Sequence, residues 1–140
     1  MPEITTAMRE LLAAGAHGHL VTIDADGSPH VTLTWAGFDG DDLVFATFPD
    51  QKKLDNLRRN PRAVVSFEAT EHSGPGLHPY LVLEGTVTVS EGGALDVMDR
   101  LAGAYIAPGA KFGWRTGPPG FVCRMKINRA YGVGPWGHDF

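Results

Sequence analysis

The chain has 140 residues, 43% of them hydrophobic and 20% charged, with a formal net charge of −4 and one cysteine. This length indicates one domain, 1–140, with a soluble globular composition, and the negative charge excludes bulk attraction to nucleic acid or acidic membranes. We see no basic, apolar leader that would indicate secretion and no long apolar stretch that would indicate a membrane span. We therefore expect a cytoplasmic protein.

The predicted elements begin with a short helix and continue mainly as strands. The apolar residues of that helix recur at helical spacing and are Ile4, Met8, Leu11 and Leu12. Residues 19–48 carry three strand-like runs, and Asp26-Gly27 and Asp39-Gly40 are turn dipeptides of the hairpin kind. The sequence therefore changes from a helical to a strand period near residue 19.

A second short helix is predicted between Pro49-Asp50 and Asn60-Pro61. The later predicted elements are strands 63–67 and 80–90, a helix 95–105 and a strand 121–134, with loops at 71–79 and 107–120. Six antiparallel, hairpin-linked strands with three short helices predict a mainly β fold, a small closed barrel.

Lys52 and Lys53 lie in the first turn of the second helix, where Asp50 is the expected N-cap. Cations cost about 0.3–1 kcal/mol each at a helix N-terminus, which already carries partial positive charge. A bound phosphate would reverse that repulsion, since each charge-assisted bond contributes about 1.5–3 kcal/mol. Thr47 could add a hydroxyl. We therefore favour an anion site over the alternative, a solvated helix surface.

Other candidate sites are weaker. The acidic turn Asp39-Gly40-Asp41-Asp42 is not a calcium loop, because Leu43 stands where another oxygen ligand is needed. The histidines have no metal-site spacing, and they are His17, His19, His30, His72, His78 and His138. Cys123 lies in an apolar strand and is expected to be packed there. The C-terminal aromatic residues Tyr131 and Trp136 belong either to a loose tail or to a surface that packs on a partner chain or a flat ligand.

Three motifs together carry a family resemblance. A strand that ends at Thr22 precedes D-G-S-P at 26–29, and K-L-D-N-L-R-R-N-P follows at 53–61. In this order they resemble the FMN-binding split-barrel superfamily of pyridoxamine 5'-phosphate oxidase. The closest-looking branch is that of the deazaflavin (coenzyme F420)-dependent oxidoreductases. The match covers about 20–68, and 131–134 resembles the family's closing strand.

The resemblance implies a six-stranded antiparallel split β-barrel that forms a homodimer, with cofactor sites across its interface. By position, Lys53 corresponds to the lysine that holds the cofactor phosphate, and Lys52 to its basic neighbour. The strand 33–35 corresponds to the one whose backbone follows the isoalloxazine edge. With Arg58, which could reach back to an anion, the predicted cofactor-binding residues are Leu33, Thr34, Trp35, Thr47, Gln51, Lys52, Lys53 and Arg58.

Departures from the family narrow the expected activity. Val31 and Ala36 replace the Arg and Lys of the oxidases, and residues 128–130 lack their substrate-binding signature, so vitamin B6 oxidation is not expected. The predicted activity is hydride transfer from reduced F420 to a small electron-poor acceptor, without a catalytic side chain. Trp35, Trp136 and Tyr131 are the predicted substrate-pocket walls. The alternatives are the same barrel with FMN, or a non-catalytic flavin or haem binder.

Overall fold

The computed structural model describes residues 2–70, 76, 78–113 and 119–139, which form three helices and eight strands. The helices are α1 (Thr6–Ala13), α2 (Lys52–Arg59) and α3 (Ala94–Tyr105). The strands are β1 (Gly18–Ile23), β2 (Pro29–Thr34), β3 (Gly37–Asp39), β4 (Asp42–Thr47), β5 (Arg62–Glu68), β6 (Tyr80–Glu91), β7 (Phe121–Gly134) and β8 (Gly137–Asp139). None of these helices is long and apolar enough to cross a bilayer.

The described strands form one antiparallel sheet in the order β2-β1-β5-β6-β7-β4-β3, with β8 paired to β7. The two edges of this sheet, β2 and β3, are joined by only Trp35 and Ala36. Because two residues span only a short distance, the sheet must curl until its edges meet. Neither edge is hydrogen-bonded to the other as a ladder. The result is a curled sheet that is split between β2 and β3.

The core lies on the concave side of this sheet. Alternation along the strands puts every second residue inside, as in β5, where Ala63, Val65 and Phe67 are buried. Other fully buried core side chains are Leu20, Leu43, Phe45, Leu81, Leu83, Cys123 and Met125. The buried side chains of α1 (Met8, Leu11 and Leu12) belong to the same cluster. A smaller cluster joins Ala46, Phe48 and Ala94, so that α3 covers the end of β4.

The mainly β fold class predicted from the sequence is confirmed. The predicted strands correspond to β1, β2, β4, β5, β6 and β7, and the hairpin turn at Asp39-Gly40 joins β3 to β4. The strands β3 and β8 have three residues each and are too short to leave a periodic pattern. Of the predicted loops, 71–75, 77 and 114–118 lie outside the described residues, as does His72.

The predicted N-cap of α2 is wrong. The N-cap is Gln51, which keeps an extended backbone (φ −101°, ψ 129°), and Lys52 is the first helical residue. The side chain of Gln51 does not cap the helix. Its Oε1 instead accepts hydrogen bonds from the Thr47 hydroxyl (3.0 Å) and the Phe48 N–H (3.1 Å). Gln51 therefore closes the turn between β4 and α2, and Asp50 stays outside the helix.

Candidate functional site

A cleft of about 400 Å³ opens where the two sheet edges meet. It lies between the end of β2, the end of β4, the start of α2 and the helix α3. Its lining residues are His17, Leu33, Thr34, Trp35, Ala46, Phe48, Gln51, Lys53, Met98 and Phe112. Ligand pockets for small molecules and cofactors have volumes of about 300–1,000 Å³. The cleft is therefore of a size to hold a flat cofactor-sized ring system.

One end of the cleft is polar and contains a buried cation. Lys53 is only 5% exposed, and within the described part of the chain its ammonium group has no hydrogen bond or ion pair. Burial lowers the pKa of Lys53 below its ordinary value of 10.5, and the influence of nearby Cys123 opposes this shift. An unpaired buried cation is unfavourable, and an anion beside it would remove that penalty. This end of the cleft is suited to an anionic group.

A hydrogen-bond network centred on Asn56 holds α2 in position beside the cleft. Buried Asn56 donates through Nδ2 to the Thr22 hydroxyl (3.1 Å) and to Oδ1 of Asp24 (2.8 Å), and it accepts from Arg59 (2.8 Å). The ammonium group of Lys52 lies 3.0 Å from Oδ2 of Asp24. The Asn56 hydrogen bond and then Lys52 lower the pKa of Asp24. The two neighbouring lysines therefore differ: Lys52 is paired with a carboxylate, whereas Lys53 faces the cleft.

The other end of the cleft is apolar and aromatic. The Trp35 ring stacks on Tyr105, with ring centroids 5.3 Å apart, and meets the Phe112 ring edge-on at 5.9 Å. Phe48 and Met98 also line the cleft and belong with Phe112 to one apolar cluster. Leu33 lines the cleft although the residue is 63% exposed. The cleft is thus amphipathic, with a cation at one end and flat apolar walls at the other.

The structure gathers most of the predicted cofactor residues in this cleft. Lys53, Gln51 and the segment 33–35 all line it, and Thr47 lies directly behind, with its hydroxyl bonded to Gln51. Arg58 does not line it, and its guanidinium lies 4.5 Å from the centroid of the Phe121 ring.

Two predicted pocket residues lie elsewhere in the same chain. Trp136 donates through Nε1 to the carbonyl of Tyr80 (2.7 Å) and lines a different groove beside α1. The ring of Tyr131 lies under the guanidinium of Arg129, 4.5 Å from the ring centroid. Neither reaches the cleft that contains Trp35. Their role in a substrate pocket stays a prediction.

Several cleft residues were not predicted from the sequence. The sequence predicts no place in the cleft for His17, Phe48, Met98 or Phe112. Met98 lies on the apolar face of α3, where the sequence pattern is that of ordinary core packing. Phe112 follows α3 in a glycine-rich segment without any periodic signal. Only the docking of α3 over the end of β4 brings Met98 and Phe112 to the cleft.

The acidic turn between β3 and β4 is neutralised by arginines. The guanidinium of Arg124 pairs with Asp39 and Asp42, and that of Arg9 with Asp41 (2.8 Å). Hydrogen bonds from Arg124 lower the pKa of Asp39. In the part of the chain that the structure describes, no group of three or more His, Cys, Asp or Glu side chains is arranged to hold a metal ion.

A comparison with protein families identifies the family of this chain. The family model described as pyridoxamine 5'-phosphate oxidase matches residues 4–134, which is nearly the whole chain. The chain belongs to this family. No curated protein sequence matches it.

Several solved structures share the fold of this chain at low sequence identity. A protein named F420 reductase is 23% identical, with a TM-score of 0.71 over 94% of this chain and 98% of that one. A conserved hypothetical protein from Mycobacterium tuberculosis is 22% identical, with a TM-score of 0.72 over 93% of this chain and 84% of that one. A heme binding protein from Mycobacterium smegmatis is 22% identical, with a TM-score of 0.67 over 98% of this chain and 57% of that one. These similarities show the fold alone.

Proposed function

We propose that this protein is an oxidoreductase that transfers a hydride from reduced coenzyme F420 to a small electron-poor organic acceptor. The observation that carries the proposal is the amphipathic cleft, in which buried, unpaired Lys53 faces an aromatic wall containing Trp35. The resemblance of the sequence to the deazaflavin-dependent branch and the fold shared with a protein named F420 reductase support it.

The residues of the cleft fit such a cofactor. Lys53 would bind its phosphate, and Gln51, fixed by the Thr47 hydroxyl, would line the same end. Trp35 and Phe112 would hold a flat ring system and keep water from it, with Phe48 on the same side. The bound reduced cofactor supplies the hydride. Lys52 and Arg58, which were predicted to bind the cofactor, would at most act at long range, because each has another partner.

The charge of the cleft favours F420 over FMN. Among its described lining residues Lys53 is the only lysine or arginine. Val31 is 58% exposed and Ala36 is 1% exposed, and neither brings the positive charge that the oxidases have there. F420 carries a singly charged phosphodiester, whereas the phosphate of FMN carries close to two charges. Two missing charge-assisted bonds of about 1.5–3 kcal/mol each correspond to a weakening of about 10²–10⁴-fold.

The first experiment identifies the cofactor. Protein made in a host that synthesises FMN but not F420 should purify essentially colourless. It should then bind added F420 with micromolar or better affinity, and FMN about 10²–10⁴-fold more weakly. A yellow preparation whose flavin spectrum survives desalting, with the mass of FMN, would replace this proposal by the FMN-dependent alternative.

A second experiment separates an enzyme from a carrier. An oxidoreductase should oxidise reduced F420 faster when an enoate, quinone or nitro compound is present, whereas a carrier should not. The alternative of a haem carrier is favoured by one observation, the exposed His17 at the cleft. A Soret band that appears with haemin and is lost in His17→Ala would support it. No such band in the wild type would remove it.

We also propose that the protein is a homodimer formed through the outer face of β1, β2 and β5. Val31, Val21 and Val64 lie side by side on that face, in register across the three strands. Val31 is 58% exposed and Leu33, on the same face, 63% exposed. A second copy would cover this apolar surface. Because Leu33 also lines the cleft, the partner would complete the cleft wall.

A further inference from the structure

Tyr105 is the last residue of α3 and reaches the junction between the two sheet edges. Its ring is nearly parallel to two others. The Trp35 ring lies 5.3 Å away at an interplanar angle of 7°, and the His17 ring 6.2 Å away at 10°. Both of these neighbours line the cleft, whereas Tyr105 does not. Tyr105 therefore contacts the cleft wall from behind.

The hydroxyl of Tyr105 joins the two segments that carry those rings. It donates a hydrogen bond to the carbonyl of Ala16 (2.7 Å) and accepts one from the N–H of Ala36 (3.2 Å). Ala16 immediately precedes His17, and Ala36 immediately follows Trp35. Burial raises the pKa of Tyr105, so its hydroxyl stays protonated and can donate at neutral pH. One side chain thus fixes the backbone beside both rings on which it stacks.

This attachment matters because the Trp35–Ala36 linker lies outside the β ladders. β2 ends at Thr34 and β3 begins at Gly37, and these two strands do not pair. The linker therefore lacks the ladder hydrogen bonds that hold the rest of the sheet edge. Apart from the Thr34 hydroxyl, which donates to the Trp35 carbonyl (3.0 Å), the Tyr105 hydroxyl is the side-chain group bonded to this linker among the described residues.

We infer that Tyr105 is a positioning residue that orients Trp35, and with it the aromatic wall against which the cofactor ring and the acceptor lie. It acts through Trp35 and His17 and makes no contact of its own in the cleft. The part of this inference that concerns the acceptor rests on the proposed function. At the polar end, Gln51 is held by the Thr47 hydroxyl and the Phe48 N–H, and Lys53 belongs to α2. The phosphate end of the cofactor site should therefore not depend on Tyr105, and cofactor affinity should change less than kcat.

The test compares wild type with Tyr105→Phe, which keeps the ring and removes the hydroxyl. Protein labelled with 5-fluorotryptophan gives ¹⁹F resonances that are assigned by single Trp→Phe variants. Without any ligand, the Trp35 resonance should shift or broaden in Tyr105→Phe while that of Trp136, in another groove, stays in place. With F420, kcat for acceptor reduction should fall about tenfold, because misplaced reacting groups slow the reaction. The Kd for F420 should change less than about threefold.

Tyr80→Phe is the matched control, because Tyr80 is a half-buried tyrosine that lies outside the cleft. It should leave the Trp35 resonance and kcat at the wild-type values. A measurement on wild type needs no variant: the Ala36 amide should exchange slowly with solvent because Tyr105 accepts its hydrogen bond.

An unchanged Trp35 resonance together with wild-type kcat in Tyr105→Phe would overturn the inference, and so would a rapidly exchanging Ala36 amide in wild type. The fluorine and amide measurements use ligand-free protein. They therefore decide whether Tyr105 positions Trp35 even if F420 does not bind, in which case only the proposed function fails.

Discussion

The most informative single residue is Lys53, since a lysine that is only 5% exposed and whose ammonium group has no partner among the described residues lowers the stability of the ligand-free fold. Its neighbour Lys52 has the same charge, but its side chain is 58% exposed and its ammonium group is paired with Asp24. The two lysines are thus a matched pair for experiment. Both are lysines in the first turn of α2, and they differ in how deeply they are buried and in whether they have an ion-pair partner.

Lys53→Met should weaken F420 binding by about 10–100-fold, because one charge-assisted bond of about 1.5–3 kcal/mol is lost while the buried stem is replaced. Lys52→Met should change the affinity less than about threefold, because its ammonium group points to Asp24. Isothermal titration of both variants measures this. Equal losses in the two variants would mean that the anion is not bound by Lys53 in particular.

Lys53 should also affect how the free energy of unfolding depends on pH. Its pKa is lowered in the folded state below the ordinary 10.5, so above the lowered pKa the unfolded chain binds more protons than the folded one. The contribution of Lys53 to the free energy of unfolding therefore rises with pH up to about 10.5. Below the lowered pKa the buried amine is charged, and there it destabilises the fold by its full amount. Ligand-free Lys53→Met should be more stable than wild type at neutral pH, and the difference should shrink in alkali.

Urea unfolding of wild type and Lys53→Met at about pH 7 and about pH 9.5 measures this difference. Cys123 contributes in the opposite sense, because burial raises the pKa of its thiol to about 12. Comparing the two proteins at each pH largely cancels that contribution, since both contain Cys123. A difference that does not change with pH would show that the penalty does not come from the charge of Lys53.

At the scale of elements, α2 buries Leu54 and Leu57 and is also held to β1 and Asp24 by polar groups. Asn56 is 1% exposed and bridges α2 to the Thr22 hydroxyl and the Asp24 carboxylate. A buried amide with satisfied partners specifies one geometry, so it sets the angle at which the start of α2 meets the cleft.

Asn56→Ala should destabilise the protein by about 1–3 kcal/mol, because Thr22 and Asp24 lose their donor. Asp55→Ala, at the exposed neighbouring position, should stay within about 0.5 kcal/mol. Urea denaturation at neutral pH compares the two. If Asn56→Ala and Asp55→Ala have the same free energy of unfolding, the Asn56 hydrogen bonds do not stabilise the attachment of α2.

At the scale of the whole molecule, the outer face of β1, β2 and β5 should set the oligomeric state. Val31→Asp places a charge at the exposed end of the apolar row formed with Val21 and Val64, and should dissociate the proposed dimer. Light scattering should give twice the 15.0 kDa chain mass for wild type and the single mass for the variant. Thr88→Asp, exposed on another part of the sheet, should remain dimeric. A wild-type mass of 15.0 kDa at micromolar concentration would contradict the dimer.

Much of the fold followed from local patterns in the sequence. Alternation in 80–90 and 121–134 predicted β6 and β7 nearly to the residue, because the side-chain period of a strand depends only on neighbouring positions. The position of Lys53 near the start of α2 followed likewise from the sequence order of a strand, a turn and a helix. Three-residue strands such as β3 and the N-cap at Gln51 escaped prediction, because they depend on pairing partners and on side-chain bonds.

The cleft itself is a product of long-range contacts. That Lys52 pairs with Asp24 while Lys53 turns inward depends on which face of α2 docks on β1. Tyr105 meets Ala16 across 89 positions of sequence and Ala36 across 69, and no periodicity relates residues so far apart. Local spacing therefore determined which residues form helices and strands. The curling of the sheet determined which of them share a cleft, since only closure brings β2, β4, α2 and α3 to one place.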